Sequence, residues 1–196
     1  MNRISLIITG DELATAFEKH LEKHKIKCLK FSKCRGYSNK FNFMEFVGMA
    51  DTKKTLLAFQ SGKLKAEAIS KFIIKYYNYK NNGIMFALQN EGDEMSENVL
   101  FVAIVNMGKS EKVIEVIRKT AMAGATVLDA RGNGFETEEF FGVEIGTGKE
   151  VVLSALAKAH LPALKKAIMQ EFDQENTDVV QFALPITNFS KLHQDK

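Results

Sequence analysis

Two histidines with the spacing of metal ligands stand near the N-terminus. His20 and His24 are four residues apart in a segment with helical periodicity, so both imidazoles would lie on one face of a helix, where they could hold one metal ion. No third or fourth ligand follows nearby, and the lysines around the pair indicate a face exposed to water. We therefore assign no metal ligands from the sequence.

Two glycine and lysine motifs share features with a phosphate-binding P-loop. Gly108-Lys109-Ser110 stands where a strand passes into a helix, but the glycine that a P-loop requires five residues earlier is replaced by Ala103. Gly146-Thr147-Gly148-Lys149 fails the same spacing and is followed by Glu150. We expect Ser110 to cap the helix and the second motif to form a turn.

A long acidic segment in the second half of the chain is bounded by glycine, with Arg131 at one end and Lys149 at the other. Its carboxylates could form acid–base or cation sites, but an exposed interaction loop explains them more simply. They are Glu136, Glu138, Glu139 and Glu144. No Ser/His/Asp or Cys/His set indicates a catalytic centre, so we predict that the protein is not an enzyme.

The chain repeats itself at a shift of 96 residues. Matches at one constant shift predict a duplicated domain, and two units of this length are each close to a complete fold. The clearest matches are Arg35-Gly36 with Arg131-Gly132, Phe86-Ala87-Leu88 with Phe182-Ala183-Leu184, Leu57 with Leu153, and Ile73 with Met169. We predict domains at 1–92 and 97–190, with an acidic linker near 91–98.

Hydrophobic periodicity gives each half the order strand, helix, strand, strand, helix, strand. The predicted segments are 4–8, 11–24, 26–33, 55–59, 65–77 and 84–88, and then 99–105, 110–122, 125–131, 150–157, 161–172 and 179–184. This order predicts an α+β fold of two tandem ferredoxin-like βαββαβ units, each a four-stranded antiparallel sheet with both helices on one face. The strand centres are apolar at both alternating positions, so the free sheet faces need cover and we expect a homo-oligomer.

Composition argues against nucleic-acid and membrane partners. Residues 1–96 hold 16 Lys and Arg against 10 Asp and Glu, a net charge of +6, but these cations are spread rather than clustered, which favours a solvated face over nucleic-acid binding. No apolar run approaches the roughly 18 residues that cross a bilayer, and the N-terminus lacks a signal-peptide layout. We predict a cytoplasmic protein without direct membrane insertion.

The second half carries three motifs together, at 101–110, at Ala123-Gly124-Ala125-Thr126, and at Ala130-Arg131-Gly132-Asn133-Gly134 before the acidic loop. Through these motifs, residues 99–187 resemble the P-II nitrogen-regulatory signalling family. The stretches 140–145 and 149–153 are similar to a divergent, less characterised branch of that family. Residues 4–90 keep the register but little else, and we interpret them as a degenerate second copy.

The resemblance implies a trimeric regulator that binds an adenine nucleotide, such as ATP or ADP, in clefts between subunits. It also implies that a long loop, here residues 135–148, grips a regulated transporter or enzyme. Gly132 and Gly134 match glycines at the loop root that let the backbone approach the nucleotide, because glycine lacks a Cβ atom. Lys149 matches a phosphate-facing lysine. Arg131, Arg35, Gly36 and Lys80 complete the predicted ligand-binding set.

The chain departs from the family in three places. The glycine-rich second phosphate loop is replaced by the acidic residues 173–178, which would repel a polyphosphate. The basic C-terminal pair is replaced by residues 189–193, and no tyrosine occurs at 135–148, so uridylylation is not implied. In the first copy, the corresponding residues 78–83 contain Lys80 and a glycine. The sequence leaves two interpretations of them open, an anion site and a plain turn.

We therefore predict a duplicated P-II-like regulator in which a small effector biases the order of loop 135–148. Three alternatives stay open. One is a metal-responsive or metal-tolerance protein that uses His20 and His24 or the loop carboxylates. The others are an amino-acid-sensing ferredoxin-like protein and an oligomeric interaction module without a ligand.

Overall fold

The computed structural model describes residues 2–37, 52–77, 83–88, 97–131, 138–140, 143–145, 148–173 and 179–191. The chain divides into two compact units. Unit 1 comprises Met1–Cys34, Thr52–Asn98 and Leu184–Lys196, and unit 2 comprises Arg35–Asp51 and Val99–Ala183.

The described helices and strands follow the βαββαβ order in each half, with a short hairpin added in the second. The first half contains β1 (Asn2–Thr9), α1 (Asp11–Lys23), β2 (Cys28–Tyr37), β3 (Thr52–Gly62), α2 (Lys63–Tyr77) and β4 (Ile84–Leu88). The second contains β5 (Asn98–Asn106), α3 (Ser110–Ala121), β6 (Ala125–Arg131), β7 (Glu138–Phe140), β8 (Val143–Ile145), β9 (Gly148–Ala157), α4 (Leu161–Asp173) and β10 (Val180–Lys191). A single 3-10 turn, Lys158–His160, leads into α4.

The core of unit 1 lies between its two helices and one face of its strands. Helix α1 begins with acidic Asp11 and Glu12 and ends with basic side chains, an arrangement that complements the helix dipole. Its buried stripe packs with alternate residues of the strands and with α2, because helical residues three or four apart share a face. The cluster contains Ile7, Ala14, Phe17, Leu21, Ile26, Leu57, Phe59, Ile69, Ile73 and Met85.

Unit 2 has an equivalent core. Helix α3 ends at Met122, whose φ of 47° is left-handed and stops the helix before β6. Helices α3 and α4 both contribute apolar stripes to one cluster with alternate strand residues. Its members include Phe101, Ala103, Val113, Ile117, Val127, Val152, Leu164, Ile168 and Phe172.

The two cores correct the alignment of the repeat. Leu57 belongs to the helix-facing core of unit 1, and the residue that occupies this role in unit 2 is Val152 rather than Leu153. Ile73 likewise corresponds to Ile168, not to Met169, which is 43% exposed. From β3 to the second helix of each half the structural shift is therefore 95 residues, one fewer than the sequence match suggests.

The prediction of two open four-stranded sheets is wrong. The strands are hydrogen-bonded in a closed barrel order, β1-β3-β2-β6-β9-β5-β10-β4. The reason lies in two strands that extend past their predicted ends at residues 33 and 184. In β2, Arg35–Tyr37 pair antiparallel with β6, and in β10 residues from Ile186 to Lys191 pair antiparallel with β4. These extensions supply hydrogen-bond partners to edges that an open sheet would leave unpaired.

Among the helices in the described part of the chain, none is both long and apolar enough to cross a membrane.

The unit 1 core yields a stability prediction. Phe17 is fully buried, so replacing Phe17→Ala removes a ring that the surrounding side chains cannot replace and should cost about 3–5 kcal/mol. Phe31, on β2, is 47% exposed, and Phe31→Ala serves as a matched control expected to cost less than about 1 kcal/mol. Urea unfolding of both variants measures the difference. Equal losses would show that Phe17 is not a core residue.

Candidate functional site

A buried carboxylate occupies the start of α3 in unit 2. Glu150 lies on β9 and is only 2% exposed. Its Oε2 atom accepts hydrogen bonds from the backbone N–H groups of Gly108 and Ser110, each at 3.0 Å. The first N–H groups of a helix have no partner within the helix and carry partial positive charge. Glu150 therefore neutralises the N-terminus of α3 from a neighbouring strand.

The same carboxylate binds an arginine. Arg35 Nη2 donates to Glu150 Oε1 and also to Asp129 Oδ1, the second at 3.2 Å. Asp129 faces Glu150 directly in the register of β6 and β9, so the two acids are neighbours across the strands. The Asp129 side chain is 63% exposed, whereas that of Glu150 is 3% exposed. Arg35 thus joins a buried and an exposed acid.

The surroundings hold Glu150 in its charged form. Burial by itself raises the pKa of the Glu150 carboxyl, but the hydrogen bonds from Arg35 and Ser110 outweigh it and leave the pKa below its ordinary value of 4.5. Burial likewise lowers the pKa of Arg35, and the hydrogen bond with Glu150 and the nearby acids outweigh this to raise it overall. The pair is therefore an ion pair at neutral pH.

The start of α3 does not offer a free phosphate site. The N-cap residue is Lys109, which makes no capping hydrogen bond through its side chain, and Ser110 is the first helical residue. The expectation that Ser110 caps the helix is therefore wrong, because Glu150 supplies the acceptor. With that carboxylate in place, an anion at these amides would have to displace an internal charge.

The acidic segment, residues 132–147, leaves the sheet at the end of β6 and returns at the start of β9. We call this place, where Arg131 and Gly148 lie, the root of the segment. Arg131 pairs with Gly148 at the end of the ladder of β6 and β9, so the two residues that flank residues 132–147 lie side by side. The backbone N–H of Met107 donates to the Gly148 carbonyl oxygen at 3.0 Å, and Lys149 Nζ donates to the side-chain oxygen of Asn106. Asn106, the last residue of β5, and Met107, the next residue, therefore each make one hydrogen bond with the start of β9.

The structure separates two of the predicted cations. Glu150 points toward α3, where it also meets Arg35. Lys149 is its neighbour on β9, so its side chain leaves the strand on the opposite face. Arg35 and Lys149 therefore do not converge on one ligand position. Gly36 lies in β2, opposite Thr126 of β6.

The other predicted ligand-binding residues are only partly covered by the described structure. Gly132, Gly134 and Lys80 lie outside the described residues, and of Arg131 only the backbone position is described. Within the predicted loop 135–148, β7 and β8 pair as an antiparallel hairpin with Glu139 opposite Glu144.

The histidine pair of α1 is close in space. The ring centroids of His20 and His24 are 4.6 Å apart. Across the part of the chain that the structure describes, however, no group of three or more His, Cys, Asp or Glu residues is arranged to hold a metal ion.

No family model matches the chain, and no curated protein matches it. Among solved structures, it is similar to an unknown protein from Galdieria sulphuraria (10% identity, TM-score 0.36, covering 93% of this chain and 97% of that one). It is also similar to the acetolactate synthase small subunit from Thermotoga maritima (6%, 0.30, 95% and 96%) and to aspartate kinase from Synechocystis (7%, 0.31, 92% and 43%). Likenesses this weak carry no argument about function.

Sequence reasoning missed the central residue of this site. In the sequence, Glu150 belongs to a predicted strand and disfavours a P-loop at Lys149, but no motif marks it as a buried charge. One signal was available, since an acid in an otherwise apolar strand run, followed by Val151-Val152-Leu153, needs a partner when buried. The partner Arg35 is 115 residues away in the chain, and no local pattern indicates it.

The Glu150 network yields a pH prediction. Glu150→Gln keeps the shape but removes the charge that Arg35 and the α3 amides stabilise, and should cost roughly 1–3 kcal/mol at neutral pH. Because the folded pKa is lowered, the carboxylate's stabilisation is present above the ordinary value of 4.5 and is lost as pH falls through the folded pKa. Urea unfolding at several pH values should show the gap between wild type and variant closing in acid.

Asp129→Asn is the matched control, because Asp129 contacts the same arginine but is mostly exposed, and it should cost less than Glu150→Gln. A gap between wild type and Glu150→Gln that stays constant down to acid pH would contradict the proposed charge state.

Proposed function

We propose that this protein is a P-II-like regulator that senses a small effector at the root of residues 132–147 and controls a partner protein through loop 135–148. One observation carries the proposal. The pairing of Arg131 with Gly148 gathers both ends of the acidic segment at one point, where Lys149 supplies a cation. A ligand bound there would contact both ends of the segment at once.

The switching element is the contact between the root and the end of β5. In the described state, Lys149 donates to the neutral amide oxygen of Asn106. An anionic group is a stronger acceptor than an amide, so an effector that carries one would compete for this lysine. If Lys149 left Asn106 for the effector, the root would lose one of its two hydrogen bonds to the end of β5. The hydrogen bond from the Met107 N–H to the Gly148 carbonyl oxygen would remain. A ligand can shift the loop only by as much as it prefers one arrangement over the other.

The effector that we propose first is an adenine nucleotide, ATP or ADP, which follows from the P-II resemblance. The geometry restricts where its phosphates would bind. The α3 amides already bind Glu150, so phosphates would contact Lys149 on the other face of β9. The sequence of residues 173–178 is acidic and lacks glycine, so it would repel a polyphosphate. The nucleotide would therefore be held by fewer phosphate contacts than the P-II resemblance implies.

The remaining parts of the proposal concern assembly and partners. We propose a cytoplasmic, non-catalytic homo-oligomer, with a trimer as the arrangement that the resemblance implies. The regulated partner would be a transporter or an enzyme. The first repeat keeps its core. At the 95-residue shift of the cores, however, the position of Glu150 on β9 corresponds to Thr55 on β3. This difference supports the interpretation of the first repeat as the degenerate copy.

Calorimetric titration with ATP, ADP, AMP and cyclic nucleotides, at fixed salt and magnesium, tests the effector. Wild type should bind one of them saturably. Lys149→Ala should weaken that binding roughly 10- to 100-fold, because a hydrogen bond to a charged group contributes about 1.5–3 kcal/mol. Lys166→Ala, at an exposed position on α4, is the matched control and should bind as wild type does.

Limited proteolysis of residues 132–147 is the second readout, and the bound nucleotide should change the cleavage rate in wild type but not in Lys149→Ala. Silence across the nucleotide panel would reject the effector. Equal binding by the Lys149 and Lys166 variants would reject the site.

A further inference from the structure

Unit 1 contains a cavity between α1 and α2 that is independent of the site in unit 2. Its volume is about 220 Å³, and its lining residues are His20, His24, Lys65, Ala68, Ile69 and Phe72. Since a water molecule takes about 30 Å³ in the liquid, the space suits a small organic molecule with a single ring. It is smaller than the roughly 300–1,000 Å³ of sites for drug-sized ligands.

The walls of the cavity are held in place by ring contacts. The His20 imidazole stacks on the Phe72 ring, with centroids 3.8 Å apart and planes 3° from parallel. His24 meets His20 edge-on, with the ring planes at 61°. Ile69 is 2% exposed and forms an apolar floor. The lining therefore combines the stacked His20 and Phe72 rings and the Ile69 side chain with the ring nitrogen atoms of the two histidines.

The positive charge at the rim of the cavity is that of the Lys65 ammonium group. Lys65 Nζ donates to the His24 backbone carbonyl oxygen at 2.7 Å, which fixes the ammonium group at the rim. An ammonium group has three N–H donors, so two others are directed elsewhere. Burial first, and then the electrostatic effect of His24 and Lys23, lower the pKa of His20, which favours its neutral imidazole. None of the six lining residues is acidic.

We infer that this cavity binds a small organic carboxylate, with its carboxylate at Lys65 and His24 and its apolar body against Phe72 and Ile69. The lysine and the histidine donate to the anion, and the aromatic and aliphatic surface takes the hydrophobic part. The same positive rim disfavours a metal ion. This inference reassigns the histidine pair, whose spacing alone indicates a metal ligand set.

Three probes of similar shape, benzoate, benzamide and benzamidine, test whether the cavity prefers an anion, a neutral molecule or a cation. Titration of the full chain is followed by NMR of the histidine rings, with His160 as an internal reference outside unit 1. Benzoate should shift the His20 and His24 signals saturably and leave His160 unchanged. Benzamide should bind at least about 5-fold more weakly, and benzamidine should not bind, because the rim is cationic.

A matched pair of lysine variants on α2 locates the anion. Lys65→Gln should weaken benzoate binding about 5- to 10-fold, whereas Lys71→Gln, at another exposed position of α2, should leave it unchanged. Equal binding of benzoate and benzamide, equal effects of the two variants, or no saturable shift with any probe would each overturn the inference. Stoichiometric Zn²⁺ binding that shifts both histidines and excludes benzoate would overturn it in favour of a metal site.

Discussion

Unit 2 depends on the hydrogen bonds and the ion pair that one buried carboxylate, that of Glu150, makes with backbone amides and an arginine. Glu150 accepts from the first amides of α3 and from Arg35 of β2, and it faces Asp129 of β6, so one side chain ties a helix to three strands. An unpaired charge at this depth would be strongly destabilising, so these partners must assemble together. The carboxylate also fills the position at the helix start that an external anion would otherwise take.

The closed strand order gives this network its position. Arg35 reaches Glu150 because β2 continues to Tyr37 and pairs with β6. The same ladder, from Thr126 to Arg131, ends where the acidic segment begins, and β9 starts where it returns. The root of residues 132–147 is therefore fixed by a paired and partly buried framework. In the proposed function, a ligand at this root would act on the segment while the paired strands stay in place.

Local patterns predicted the helices and strands well but not how the strands pair. The apolar stripes of α1 and α3 have clear helical spacing, and their buried residues follow it. The strands are apolar at consecutive positions, such as Leu56-Leu57 and Val152-Leu153, so period-two alternation could not show which residue faces the helices. The one-residue error in the repeat shift results from this ambiguity. The extra pairing of β2 and β10 was missed for another reason, namely that both strands extend past their predicted ends. Arg35 and Lys149 were predicted as members of one ligand-binding set, and the sequence could not show that the Lys149 side chain leaves β9 on the face opposite the Arg35–Glu150 pair.

The most direct test of this account is amide hydrogen exchange at the start of α3, measured by NMR in wild type and in Glu150→Gln. The account predicts that the Gly108 and Ser110 amides are protected in wild type and that the variant loses this protection selectively, while amides in the middle of α3 change little. Protection of these two amides that is the same in both proteins would show that Glu150 does not hold the helix start, and would contradict the framework proposed for the loop root.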